Sequence, residues 1–285
     1  MRWTPGGRSK DLEDDRSQGG SVGGFRRGGI KVGLGGIVVL LLLSVIFKRD
    51  FLSLIDTGTG TSYSTGETQS DPERDAREEP MVQFVSFVLD DTQSTWSQVF
   101  PAMGAQYRNA KLVLFRDYVE SACGLAESAT GPFYCPEDEK VYIDLGFFDE
   151  LQRRFGAPGE FAQAYVLAHE IGHHIQKILG IETKVRQLQR ARPDQAKALS
   201  VRMELQADCL AGVWGHSTAQ RNILENGDVE SGLGAAAAVG DDRIQRMSTG
   251  RVSPESFTHG SSAQRVEWFR RGLTQGNVEA CNTFQ

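Results

Sequence analysis

Ala168-His169-Glu170-Ile171-Gly172-His173-His174 sets two imidazoles four residues apart, with a carboxylate directly after the first. On a helix such residues share a face one turn apart, so His169 and His173 can reach a single metal ion, with Glu170 beside it, free to act as a base. The flanking residues make the segment helical. Pro158 and Gly159 open it, Phe161, Tyr165, Ala168, Ile175 and Leu179 recur at helical intervals, and Gly180 follows as a stop. The apolar stripe runs beside the His169/His173 face, so one side of the helix can be buried while the other holds metal. Gly172 costs up to about 1 kcal/mol relative to Ala in a helix interior, which suits a place where another backbone passes close by.

An open catalytic metal site of this type needs a third protein ligand. Met203-Glu204-Leu205-Gln206-Ala207-Asp208-Cys209 offers one, in a segment from Ala196 to Trp214 rich in helix formers. Glu204 and Asp208 are four apart and share a helix face. Glu204 can complete a His, His, Glu set. Asp208, one turn on, can accept a hydrogen bond from the non-metal nitrogen of a histidine ligand and so fix its tautomer. Alone, each acid reads as solvated helix surface; after H-E-x-x-H, the pair has work to do.

His169-Glu170-Ile171-Gly172-His173-His174 followed by Glu204-Leu205-Gln206-Ala207-Asp208-Cys209-Leu210-Ala211-Gly212 resembles the gluzincin pattern, and specifically the bacterial neutral zinc metallopeptidase family of predicted membrane proteins. The opening Met1-Arg2-Trp3 with Asp11-Leu12-Glu13-Asp14, the run from Ser121-Ala122-Cys123-Gly124 to Gly131-Pro132-Phe133-Tyr134-Cys135-Pro136, and Thr258-His259-Gly260 with Gln264-Arg265 extend the likeness over most of the chain. The resemblance implies a zincin-like fold, one Zn2+ and peptidase activity. It assigns His169 and His173 as imidazole ligands, Glu204 as the carboxylate ligand and Glu170 as the base. His259, on a loop before a helix, could polarise the scissile carbonyl or steady its oxyanion, a task gluzincins often give to a His or Tyr; a capping or packing role is the alternative. His174 and His216 read as structural or exposed.

The rest of the chain sets the context. With 285 residues, 39% hydrophobic and 24% charged, the chain is of ordinary globular composition. A net charge of -6 argues against a general nucleic-acid surface. Residues 1–31, rich in Gly and charge, read as a basic, disordered cytoplasmic tail. Residues 32–47 form an uncharged apolar run closed by Lys48-Arg49-Asp50. At 1.5 Å per residue the run falls short of the ~30 Å hydrocarbon core, a gap that Gly28, Gly29 and Ile30 close with Lys31 snorkelling. A long charged region before it, and no A-x-A-like site after it, favour a signal-anchor helix over a cleaved signal peptide. The excess of Lys and Arg ahead of the run puts the N-terminus in the cytoplasm and the rest outside, at a bacterial inner membrane. Residues 48–80, a Thr/Ser/Gly run passing into alternating charges, read as a disordered linker.

From residue 81 to 285 the composition is that of one folded domain. Phe84 to Leu89 and Thr95 to Ala105 read as helices, Lys111 to Phe115 as a strand, and Phe133-Tyr134-Cys135 with Val141-Tyr142-Ile143 as a hairpin. Further helices are predicted near 147–155, 159–179, 182–191, 194–216, 228–247 and 262–274. The fold class is therefore α+β, a mostly helical zincin-like domain with a small sheet, preceded by one transmembrane helix. Zincins pair an edge strand near the active-site helix with an extended substrate; Val141 to Asp144 is the candidate here, with an ordinary sheet strand as the alternative. Four cysteines permit two disulfides outside the cytoplasm, Cys123 with Cys135 and Cys209 with Cys281, against metal binding, for which no C-x-x-C spacing speaks, or free buried thiols.

The combined reading is a membrane-anchored zinc peptidase that acts on proteins or peptides, with Glu170 as general base toward an attacking water. Its rivals are a non-catalytic zinc-stabilised, membrane-tethered binding or scaffold protein, and an interaction module with a fortuitous motif.

Overall fold

A computed structural model of the chain describes residues 1–18, 71–128 and 131–284. Helix α1, Pro72–Val99, starts where the Asp71 carboxylate accepts a hydrogen bond from the Arg74 N–H at 2.9 Å and Pro72 fills the first turn. The expected linker up to residue 80 and the two separate helices after it are thus one helix from Pro72 onward. Its polar first turns fold because their charges are paired: Arg74 bonds Glu78 at 2.7 Å, Arg16 bonds Glu78 at 2.7 Å, and Arg116 bonds Asp75 at 2.6 Å.

Arg16 belongs to the segment expected to be a disordered tail, and residues 1–18 are instead part of the folded unit. Strand β1, Leu12–Asp14, pairs in parallel with β2, Lys111–Phe115, with Leu12 opposite Leu112. Arg16, only 2% exposed, lies between Asp14 and Glu78. The low apolar content of this segment is offset by acids on α1 and by a strand partner, which its own composition does not reveal.

This placement also corrects the expected transmembrane helix. No helix among the described residues is long and apolar enough to cross a membrane, and residues 32–47 lie outside the described residues. Strand β1 precedes that stretch and β2 follows it, yet the two are hydrogen-bonded in one sheet. A single crossing between them would put neighbouring strands on opposite sides of a membrane, so a cytoplasmic tail with the domain outside does not fit this fold.

A two-stranded antiparallel ribbon follows, β3 (Tyr118–Ser121) with β4 (Gly124–Glu127), and then β5 (Phe133–Cys135) and β6 (Lys140–Asp144). The main sheet has the order β1-β2-β6-β5, parallel except for the β5–β6 hairpin, in which Tyr134 faces Val141. Val141 to Asp144, the expected edge, is therefore bonded on both sides. One edge strand is β5, because β2 covers the other side of β6, and the N-terminal β1 lies beyond β2 as the opposite edge. A disulfide from Cys123, in the β3–β4 turn, to Cys135 fastens the ribbon to the end of β5.

The helices then run α2 (Gly146–Arg153), α3 (Glu160–Ile178), α4 (Ile181–Ala191), α5 (Ala196–Gln220), α6 (Asp228–Ala238), α7 (Asp241–Thr249) and α8 (Ser262–Gln275). The single helix expected over 228–247 is broken at Gly240. A Cβ there would lie 2.3 Å from the Ser262 N, so the chain passes too close to the start of α8 to carry a side chain. Helix α3 packs against α1, α5 and α6, and Phe161, Tyr165, Trp214 and Phe269 are almost wholly buried around it. Phe161 stacks on Trp214 at 5.8 Å between centroids, and Tyr165 meets Phe269 edge-on at 4.9 Å. Full burial of side chains of this size stabilises by roughly 1.5–3 kcal/mol each, which fixes α3 on one face and leaves the other to a cleft. A second disulfide, Cys209–Cys281, ties the segment after α8 back to α5.

Candidate active site

Gly172 decides how α3 meets α5. A Cβ at this position would lie 2.9 Å from the Ala207 carbonyl oxygen and 3.0 Å from the Ala207 Cα, so the helix backbones touch here. That contact sets Glu204, almost one turn before Ala207, opposite His169 and His173. His169 Nε2 lies 3.2 Å from Glu204 Oε2, and His173 Nε2 lies 3.5 Å from Glu204 Oε1. The two imidazoles are nearly perpendicular, 4.8 Å apart between centroids. One ligand atom from each of the three residues falls within 4.8 Å of the others.

The donor set fits zinc. Ligand atoms at about 2.0–2.2 Å from a tetrahedral ion lie roughly 3.3–3.6 Å from one another, close to the 3.2 and 3.5 Å between the Glu204 carboxylate and the two imidazoles. Both histidines also have their other nitrogen engaged. His169 Nδ1 donates to Asp208 Oδ1 at 2.8 Å, and His173 Nδ1 donates to Gln176 Oε1 at 2.9 Å. Each ring is thereby held with Nε2 toward Glu204.

The electrostatics follow from the burial of opposite charges together. Burial lowers the pKa of His169, but Asp208 and Glu204 outweigh it and raise it to about 9. His173 is raised as well, burial being outweighed by Glu204. Burial raises Glu204, yet the two imidazoles take it well below the usual carboxylate range. A cation entering here competes with protons, so metal affinity falls as the solution is acidified.

Asp208, 0% exposed, is the hub behind His169. Its Oδ1 accepts from His169, from the Tyr165 hydroxyl at 2.5 Å and from Arg265 Nη2 at 2.8 Å, and its Oδ2 accepts from Arg265 Nε at 2.8 Å. Arg265, on α8, is itself buried and also donates to the Val239 carbonyl at 3.2 Å. Its contact with Asp208 is the site feature that sequence reasoning missed; Arg265 was noted for family likeness, but an arginine on an amphipathic helix carries no local mark of burial.

His169, Glu170, His173, Glu204, His259 and Arg265 line one cleft of about 630 Å³. Among the described residues, the Glu170 carboxylate makes no hydrogen bond or ion pair and borders this cleft beside the histidines. His259 Nδ1 lies 3.1 Å from Asp241 Oδ1, and Asp241 Oδ2 accepts the backbone N–H groups of Thr258 and His259 at 2.7 Å each. The loop is thus clamped to the start of α7 with the imidazole half exposed, and Asp241 raises its pKa against the effect of burial. Phe133 and Tyr134, on the free edge β5, border the same cleft. His174 lies elsewhere, accepting from the Tyr134 hydroxyl at 2.9 Å and donating to the Arg108 carbonyl at 2.7 Å. His216 bonds the Leu273 carbonyl, away from the cleft.

Residues 1–284 match the family described as "putative neutral zinc metallopeptidase". The chain belongs to this family. Its cofactor is therefore Zn2+, and the family's chemistry is that of a peptidase, with peptide or protein as substrate. The chain is 48% identical over 289 residues to the uncharacterized protein YpfJ of Escherichia coli strain K12, a likeness covering 100% of this chain and 99% of that one. It is 42% identical over 206 residues to the uncharacterized protein Rv2575 of Mycobacterium tuberculosis strain H37Rv, covering 68% of each. The uncharacterized protein Mb2605 of Mycobacterium bovis matches to the same extent. No solved structure matches the chain.

Proposed function

We propose that this chain hydrolyses peptide bonds at the cleft between α3 and α5, with His169, His173 and Glu204 holding zinc and Glu170 as general base. The observation that carries the reading is the convergence of His169 Nε2, His173 Nε2 and the Glu204 carboxylate while both Nδ1 atoms are engaged elsewhere. Zinc, when bound, supplies Lewis acidity toward a carbonyl and a nearby water. Glu170 takes a proton from the attacking water on its carboxylate oxygen and delivers it to the nitrogen of the leaving amine. His259, held by Asp241, donates from its free nitrogen to the carbonyl oxygen as negative charge grows there. The free edge of β5 offers main-chain hydrogen bonds to an extended peptide, in the manner of strand addition. The two disulfides support a workplace outside the cytoplasm.

The test is metal analysis of the full chain together with cleavage of an unfolded protein substrate, with and without chelator. One zinc per chain, and cleavage that chelator abolishes and added zinc restores, is the expected result. Bound zinc without any cleavage would favour the scaffold reading, and cleavage indifferent to chelator would refute the metal mechanism.

A further inference from the structure

The two imidazoles are oriented by different chemistry. Behind His169 stands a carboxylate; behind His173 stands the amide of Gln176, which is 0% exposed. Gln176 Nε2 donates to the Met203 carbonyl at 2.8 Å and to Gln206 Oε1 at 3.0 Å. A main-chain carbonyl only accepts, so this nitrogen must face Met203 and the Gln176 oxygen must face His173. That oxygen also only accepts, which places the His173 proton on Nδ1 and leaves the Nε2 lone pair toward Glu204. Gln206 is fixed in the same way, because its Nε2 donates to the Cys281 carbonyl at 3.0 Å. Cys281 is in turn bonded to Cys209 on α5, the residue after Asp208. The polarity of the whole relay, His173 to Gln176 to Gln206 to Cys281, is thus set by two main-chain carbonyls, one of them held by a disulfide.

We infer that Gln176 is a positioning residue for the zinc site and that the Cys209–Cys281 disulfide is the far anchor of the relay that orients it. The inference rests on the reading of His169, His173 and Glu204 as ligands. An amide suits this place because the neighbouring acids already bring negative charge and Gln176 must donate to a carbonyl as well as accept from His173. Without the disulfide, the Cys281 carbonyl is held less firmly and Gln206 loses a fixed acceptor, so the Met203 carbonyl alone keeps the Gln176 nitrogen turned away from His173 and the ring is held less firmly.

The test measures zinc affinity of the full chain by competition with a chromogenic chelator, with far-ultraviolet circular dichroism to confirm folding. Gln176→Met should lower affinity on the order of 10–100-fold, while Gln176→Glu, which still accepts from His173 but sets an acceptor against the Met203 carbonyl, should lose less affinity than Gln176→Met. A packing role predicts the reverse order, since Met resembles Gln in shape and Glu buries a charge; that order overturns the inference. Cys209→Ala with Cys281→Ala should weaken zinc binding, and Cys123→Ala with Cys135→Ala should not. If removal of the C-terminal disulfide prevents folding, Gln206→Met breaks the same link with the disulfide intact and should weaken binding likewise. Wild-type affinity in whichever of these folds overturns the far anchor. Glu204→Ala serves as the control on the site itself: if it binds zinc as tightly as wild type, the ligand assignment has failed and not the relay.

Discussion

Arg265→Met keeps the stem of a buried side chain and removes its guanidinium. Asp208 then remains at 0% exposure with only the His169 imidazole left to offset its charge. Tyr165 and His169 both donate to Oδ1, so Oδ2, whose donor is Arg265 Nε at 2.8 Å, is left without one. Removing one partner of a buried ion pair costs about 3–5 kcal/mol, and two lost bonds from a charged donor, at about 1.5–3 kcal/mol each, give the same order. Thermal unfolding of the metal-free full chain should shift down by roughly 6–20 °C, at about 2–4 °C per kcal/mol for a domain of this size. Asp208→Asn in the same chain removes the stranded charge, so the double variant should regain part of the loss. The reasoning is refuted if Arg265→Met unfolds within about 1 kcal/mol of wild type by urea titration, or if the double variant is less stable than Arg265→Met alone.

Glu170→Gln should keep zinc while cleavage falls on the order of 10²–10⁴-fold; Glu204→Ala should lose the metal, and Asp208→Asn should bind it about 10–100-fold more weakly. Equal cleavage by Glu170→Gln and wild type would assign the base elsewhere. His259→Ala should lower turnover at unchanged zinc content, read from steady-state kinetics alongside metal analysis; loss of zinc would make it a ligand. Gly172→Ala gains about 1 kcal/mol of helix propensity but forces a methyl against the Ala207 backbone, at about 1–3 kcal/mol. The expected result is a net loss of stability with weaker zinc binding, and a more stable variant with wild-type affinity would show that the α3–α5 contact has room.

How much of this the sequence discloses depends on how local each feature is. His169, Glu170 and His173 are legible because the helix period alone brings them together. Glu204 and Asp208, 35 and 39 residues from His169, are legible through their own four-residue spacing and the family likeness. Arg265, 57 residues from Asp208, has no periodic partner, and nothing near it in sequence announces a buried acid. The N-terminal strand is hidden for a similar reason: Arg16 reads as a solvated charge until Glu78 is placed beside it. Val141 to Asp144 is not the edge because β2 and β5 flank it on both sides, and the order in which strands lie side by side is a tertiary fact that their own patterns do not carry. Gln176 sits three residues after His173 and its contact is local, yet a glutamine on a helix is too common for its spacing to distinguish it.

The pairing of β1 with β2 carries a consequence for biosynthesis. Leu12 leaves the ribosome long before its partner Leu112, so the first strand must wait unpaired while the chain between them is made. Parallel pairing across such a distance is closed late, since the loop entropy has to be met before the contact forms. During that interval the exposed strand edge of the rest of the sheet can also accept β1 from another copy of the chain, because the residues in register are identical, in competition with its own tethered strand. Slow synthesis at low concentration should therefore yield the self-paired monomer, and crowded refolding should yield exchanged dimers in which each chain lends its first strand to the other.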